Sequence, residues 1–162
     1  MKTASALLTI VTMTMSSFTV KYSETSEKMA QDVVSAFQHN SPQEFVTLFP
    51  TLQEFHQLMD ETSALYGDFL PEAKKEFASE YENELLPEVR EAFQHILIEG
   101  KKKGIDWSAI EYIRTEVGKI SSAKSASVTV FFQANGKEHS LRIENAMTIH
   151  EQWKVSQYLD LK

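Results

Sequence analysis

Carboxylates and phenols are the side chains of this chain best suited to chemistry. Asp60, Asp106, Tyr66 and Tyr112 could serve an acid–base step: a carboxylate takes a proton while a tyrosine hydroxyl donates to developing negative charge. Such a step needs an apolar pocket that shifts both pKa values. The spacing does not impose that arrangement, because Asp106 precedes Trp107-Ser108 and suits a turn or a cap equally well. Glu72, Glu76, Glu80, Glu84 and Glu88 recur every four residues and so form one acidic ridge on a helix. The ridge is either a surface for a cationic partner or for Ca²⁺, though without the Asp/Asn/Gly pattern of a calcium loop, or a solvated face, and its like-charge pairs cost a few tenths of a kcal/mol each, roughly. The histidines His39, His56, His95, His139 and His150 form no H-E-x-x-H and no pair one helical turn apart, so no metal site is assigned. There is no G-x-S-x-G and no glycine cluster for phosphate, and neither a catalytic residue nor a cofactor is assigned.

Composition narrows the class further. The chain has 162 residues, 42% hydrophobic and 24% charged, as in a globular protein. It has no cysteine, which excludes disulfides, thiolate zinc sites and cysteine nucleophiles. The net charge of -7 argues against nucleic acid, whose binding rests on Lys and Arg at phosphates. The charge is uneven. Lys21 to Gly100 holds 16 acidic and 5 basic residues, whereas Lys101 to Lys162 holds 7 acidic and 10 basic.

The first residues read as an export segment. Lys2 precedes an uncharged run, Ala4 to Met15, that carries Leu7, Leu8, Ile10 and Val11. That run is shorter than the ~20 apolar residues of a membrane span. A signal peptide over residues 1–22 is expected, with cleavage between Phe18 and Ser23, no transmembrane anchor after processing, and a secreted or periplasmic destination. Residues 23–162 then form one domain, long enough to bury a core without staples.

Apolar periodicity supplies the elements that must position any site. Met29, Val33 and Phe37 mark a helix from Ser26 to His39. Ser41-Pro42-Gln43-Glu44 and Thr51-Leu52-Gln53-Glu54 each have the form of a capping box and open two more helices. The second of these has the apolar face Leu52, Phe55, Leu58 and Met59, with Tyr66 near its end and Gly67 closing it. A long helix is expected from Pro71 to Glu99 with the ridge Phe77, Tyr81, Leu85, Val89, Phe93 and Leu97, kinked or split at Pro87 and ended by Gly100. The period then changes to two. Strands are expected at Ile110–Ile120, Ser127–Ala134, Lys137–Met147 and Trp153–Leu159, with Asn135-Gly136 as a hairpin turn. The plan is α+β: N-terminal helices packed on a curved C-terminal antiparallel meander of about four strands, cone-like in shape.

Ile105-Asp106-Trp107 before a strand, the Asn135-Gly136-Lys137 hairpin and Gln152-Trp153-Lys154-Val155 in the last strand resemble small exported bacterial proteins of the nuclear transport factor 2-like group (cystatin-like, SnoaL-like). The resemblance implies a conical cavity between helices and sheet, and a role that is most often binding or accessory. Tyr66, Trp107, Tyr112, Phe132 and Trp153 are then the cavity-lining candidates. It departs from the group in lacking a strand between the early helices and the longest one. Three readings stay open. The leading one is a non-enzymatic exported domain binding a small apolar ligand. The second is a small isomerase- or dehydratase-like cavity enzyme, and the third a protein-binding module using the ridge Glu72 to Glu88. A dimer is compatible with all three.

Overall fold

The computed structural model describes residues 26–122 and 124–162; the expected export segment lies outside them. Helix α1 occupies residues 26–38 and buries Met29, Ala30, Val33, Val34, Ala36 and Phe37. It ends where Asn40 takes φ 51°. The amides of Asn40 and Ser41 then reach back to the carbonyls of Phe37 and Ala36 at 3.1 and 2.9 Å, the pattern of a left-handed helix stop.

Helix α2 spans Pro42–Thr47 and α3 spans Leu52–Glu61. At α3 the expected capping box is complete: Thr51 Oγ1 accepts from the Glu54 amide, and Glu54 Oε2 accepts from the Thr51 amide at 2.7 Å. At α2 only half of it forms. Ser41 Oγ accepts from the Glu44 amide at 3.1 Å, but the Ser41 amide is already held by Ala36, and the Glu44 carboxylate turns to His39 instead.

Two short 3-10 turns, Ser63–Leu65 and Gly67–Phe69, lead into α4 (Leu70–Glu80). A π-helical turn, Tyr81–Leu85, joins α4 to α5 (Leu86–Lys102) without a break. Pro87 therefore neither splits the helix nor leaves it regular. Its ring collides with an ordinary turn beneath it, and the wider π turn accommodates it. The Leu86 amide reaches the Tyr81 carbonyl, and Asn83 Nδ2 donates to the Ser79 carbonyl at 2.8 Å. The π turn also resets the ridge, since a strict four-residue repeat drifts by about 40° per step on a 3.6-residue helix.

The expected stop at Gly100 is corrected. Gly100 lies inside α5, and a Cβ there would sit 2.2 Å from Trp107 Cζ2, so it is a packing glycine. The helix ends at Lys102, and Gly104 (φ 78°) makes the left-handed turn, with Ile105 N–H bonding the Gly100 carbonyl at 2.9 Å.

A 3-10 turn, Trp107–Ala109, precedes a curved antiparallel half-barrel against which the helices pack. Its strands β1 (Glu111–Ser122), β2 (Ser125–Ala134) and β3 (Lys137–Ile149) form a meander. Asn135 and Gly136 both take positive φ in the β2–β3 turn, and Asn135 Nδ2 ties that turn to the Gly104 carbonyl at 2.8 Å. The expected fourth strand is two strands, β4 (Gln152–Lys154) and β5 (Leu159–Leu161), both paired to β3. Between them the Val155 amide leaves the ladder for the Leu48 carbonyl at 3.0 Å, and Ser156 Oγ donates to the Glu144 carbonyl. The expected loop before Trp153 is a two-residue turn, His150-Glu151, both at positive φ.

The core lies between α1, α2, α5 and one sheet face. Val128, Val130, Phe132, Leu141 and Ile143 point inward from the strands. Phe37 stacks on Phe93 at 4.4 Å and on Trp107 at 4.8 Å, and Trp107 Nε1 donates to the Leu97 carbonyl at 3.0 Å. Each buried aromatic contributes roughly 1.5–3 kcal/mol by leaving water.

Candidate functional site

From Thr51 to Glu88, through α3, the 3-10 turns, α4 and the π turn, no residue is fully buried. This segment is a helical arm laid on the side of the domain. A loose aromatic cluster holds it: Phe55 meets Phe77 at 5.0 Å, Phe49 at 5.9 Å and Tyr81 at 6.0 Å between centroids, and Tyr81 Oη donates to the Pro50 carbonyl at 3.0 Å. Two ion pairs pin the arm to the sheet. Lys154 of β4 reaches Glu54 at 2.9 Å, and Lys124 of the β1–β2 turn reaches Glu61. A third, Lys74 to Asp60 at 2.6 Å, ties α4 to α3.

Burial works against the Glu54 carboxylate, but the Thr51 amide, the Lys154 ammonium and the Thr51 hydroxyl together outweigh it and hold its pKa below the usual range. The hydrogen bond from Lys124 does the same for Glu61. For the Tyr81 phenol, burial is the main cause of a raised pKa, with Glu54 adding to it.

Between α3, Tyr66 and α4 the arm opens into an apolar groove of about 370 Å³. Phe55, Leu58, Met59, Thr62, Tyr66 and Phe77 line it, and the Glu61–Lys124 pair forms one rim. A second groove, of about 470 Å³, is more polar and lies between α1, the end of α2 and β4, with Lys28, Asp32, Thr47, Trp153 and Lys154 in its walls.

The five cavity candidates are divided among these places. Tyr66 lies in the first groove and Trp153 in the second. Trp107 and Phe132 pack on each other at 5.6 Å in the core. Tyr112 is half-buried on β1 with its hydroxyl 2.8 Å from Thr115 Oγ1; burial raises its pKa, Thr115 opposes this and Glu27 adds to it. Asp106 caps the 3-10 turn, accepting from the Ser108 amide at 3.1 Å and the Ser108 hydroxyl at 2.7 Å. The acid–base candidates are thus engaged separately, Asp60 with Lys74 and Asp106 with Ser108. Glu72, Glu76, Glu80, Glu84 and Glu88 are all exposed along α4, the π turn and the start of α5. Among the described residues no three His, Asp or Glu side chains converge to hold a metal ion, and no helix is long and apolar enough to cross a membrane.

The groove's other walls were readable only as helix faces. Leu58 and Met59 belong to the apolar side of α3, and Phe77 begins the long ridge. Nothing in the order of residues links Lys124 to Glu61 across more than sixty positions. No family model, curated protein or solved structure matches this chain.

Proposed function

We propose that this protein is a non-catalytic exported binding domain, of nuclear transport factor 2-like build, whose binding site is the groove of the α3–α4 arm. The observation that supports this reading is uncovered apolar surface gathered in one place. The groove is lined by Phe55, Leu58, Met59, Tyr66 and Phe77, while Trp107 and Phe132 are taken up by the core. A groove of about 370 Å³ is the size of a site for a small apolar ligand or a few apolar side chains. The helix-then-sheet order and the curved sheet support the nuclear transport factor 2-like resemblance.

The direct test is a titration with a neutral apolar fluorophore, N-phenyl-1-naphthylamine. Saturable enhancement is expected, weakened about tenfold by Leu58→Asp, a loss of about 1.4 kcal/mol. Enhancement of equal strength in Leu58→Asp, with the fold intact by circular dichroism, overturns the assignment. Export is tested separately by N-terminal sequencing of the protein from its host. A first residue from 19 to 23 is expected, and a start at Met1 rejects it.

A further inference from the structure

We infer that the groove's occupant is a cationic amphipathic segment of another protein, an inference that rests on the groove being the binding site. Apolar surface extends past the groove itself. The two 3-10 turns flanking Tyr66 carry Leu65 and Phe69, which are 83% and 77% exposed. Both are large apolar side chains, four residues apart in the chain and on either side of the groove-lining Tyr66. A small molecule filling the groove would leave them in water. A partner segment with its own apolar face would cover the groove and these side chains together, as an amphipathic helix laid along a groove does.

Charge selects among such partners. Between Thr51 and Glu88 there are 10 acidic and 2 basic residues, whereas the rest of the chain holds 13 acidic and 14 basic. The arm therefore carries the protein's whole negative excess. Both of its lysines lie on α4, and Lys74 is already paired with Asp60. Asp68, Glu72 and Glu76 stand exposed beside Phe69 in the chain. A Lys/Arg-rich face on the partner is attracted by this field, which also speeds its approach. Anionic lipid and nucleic acid are repelled by it. Two copies meeting arm to arm would bring the same negative surfaces together, which disfavours a symmetric dimer through this face.

The probe is a Leu/Lys amphipathic helical peptide, compared by calorimetry with its Leu/Glu counterpart and with a scrambled Leu/Lys peptide of equal composition. On the full chain the Leu/Lys peptide is expected to bind about tenfold tighter than either control. Raising salt should weaken it severalfold. The double variant Leu65→Ser/Phe69→Ser, which leaves net charge unchanged, should weaken it about tenfold. Equal binding of the scrambled peptide, or an unaffected double variant, would mean unspecific charge attraction and overturn the proposal. Retained fluorophore binding without peptide binding overturns the partner class while the groove assignment stands. Loss of both sinks the two readings together. Self-association in sedimentation that disappears in the double variant would make a second copy the occupant and likewise overturn the proposal.

Discussion

The apolar ridge Phe77, Tyr81, Leu85, Val89, Phe93, Leu97 runs through one continuous helix but lives in two environments. Its last three members lie on α5 and are fully buried against α1, α2 and the strands. Its first three lie on α4 and the π turn and are half-buried: Phe77 meets Phe55 of α3, while Tyr81 and Leu85 pack against the core from its edge. The residue types are the same, and so is the spacing. The depth of burial is set by what faces the ridge: helices and sheet together on one side of Pro87, α3 and the edge of the core on the other. The core half can afford no change of volume, whereas the arm half keeps apolar surface available to another molecule. Local stability should follow, since segments with few buried contacts open at lower free energy than the core.

The sharpest test of this contrast is to truncate one ring on each side. Phe93→Ala empties a site in contact with Phe37 and Phe45, at 4.4 Å between the neighbouring Phe37 and Phe93 rings, and should cost about 3–5 kcal/mol of global stability in urea. Phe77→Ala removes a half-buried ring and should cost about 1–2 kcal/mol. Its effect should be local. Amide exchange should speed up across residues 52–80 while β2 and β3 keep their protection. Uniform loss of protection in Phe77→Ala would show that arm and core unfold as one unit.

A smaller effect should come from acid. The Glu54 pKa is depressed in the folded protein, so its stabilisation is present above the unfolded value of about 4.3 and is lost as pH falls through the folded one. Between neutral pH and pH ~3 the wild-type arm should lose exchange protection, and Glu54→Gln should lose less over the same range. Lys154→Met should reproduce part of that loss at neutral pH, since Lys154 is the partner that crosses from β4. An identical acid response in Glu54→Gln would remove Glu54 as the group that couples arm to sheet.

Much of the fold was legible because its signals are local. The α1 face, the Thr51 cap, the Asn135-Gly136 turn and the alternation of Val128, Val130 and Phe132 all depend on residues within a few positions of one another. At Gly100 and in the last strand, a neighbour outside the local pattern intervened. Gly100 is a glycine because Trp107 lies against it, not because the helix stops there. The last strand breaks because the Val155 amide finds Leu48. The candidate site was legible only in parts: Leu58 and Met59 as the apolar side of α3, and the acidic ridge as a repeat, whereas Tyr66, expected at the end of that helix, stands between two 3-10 turns because α3 stops at Glu61. Its assembly was not, because Lys124 and Glu61 meet only after the sheet has turned back on the helices.

Periodicity and composition by themselves determined the α+β order, the apolar faces and the concentration of negative charge ahead of Gly100, since each follows from residue type and near-neighbour geometry. Tertiary structure alone decided which apolar face became core and which became groove. Burial is a property of the opposing surface, and that surface is supplied by residues far away in the chain.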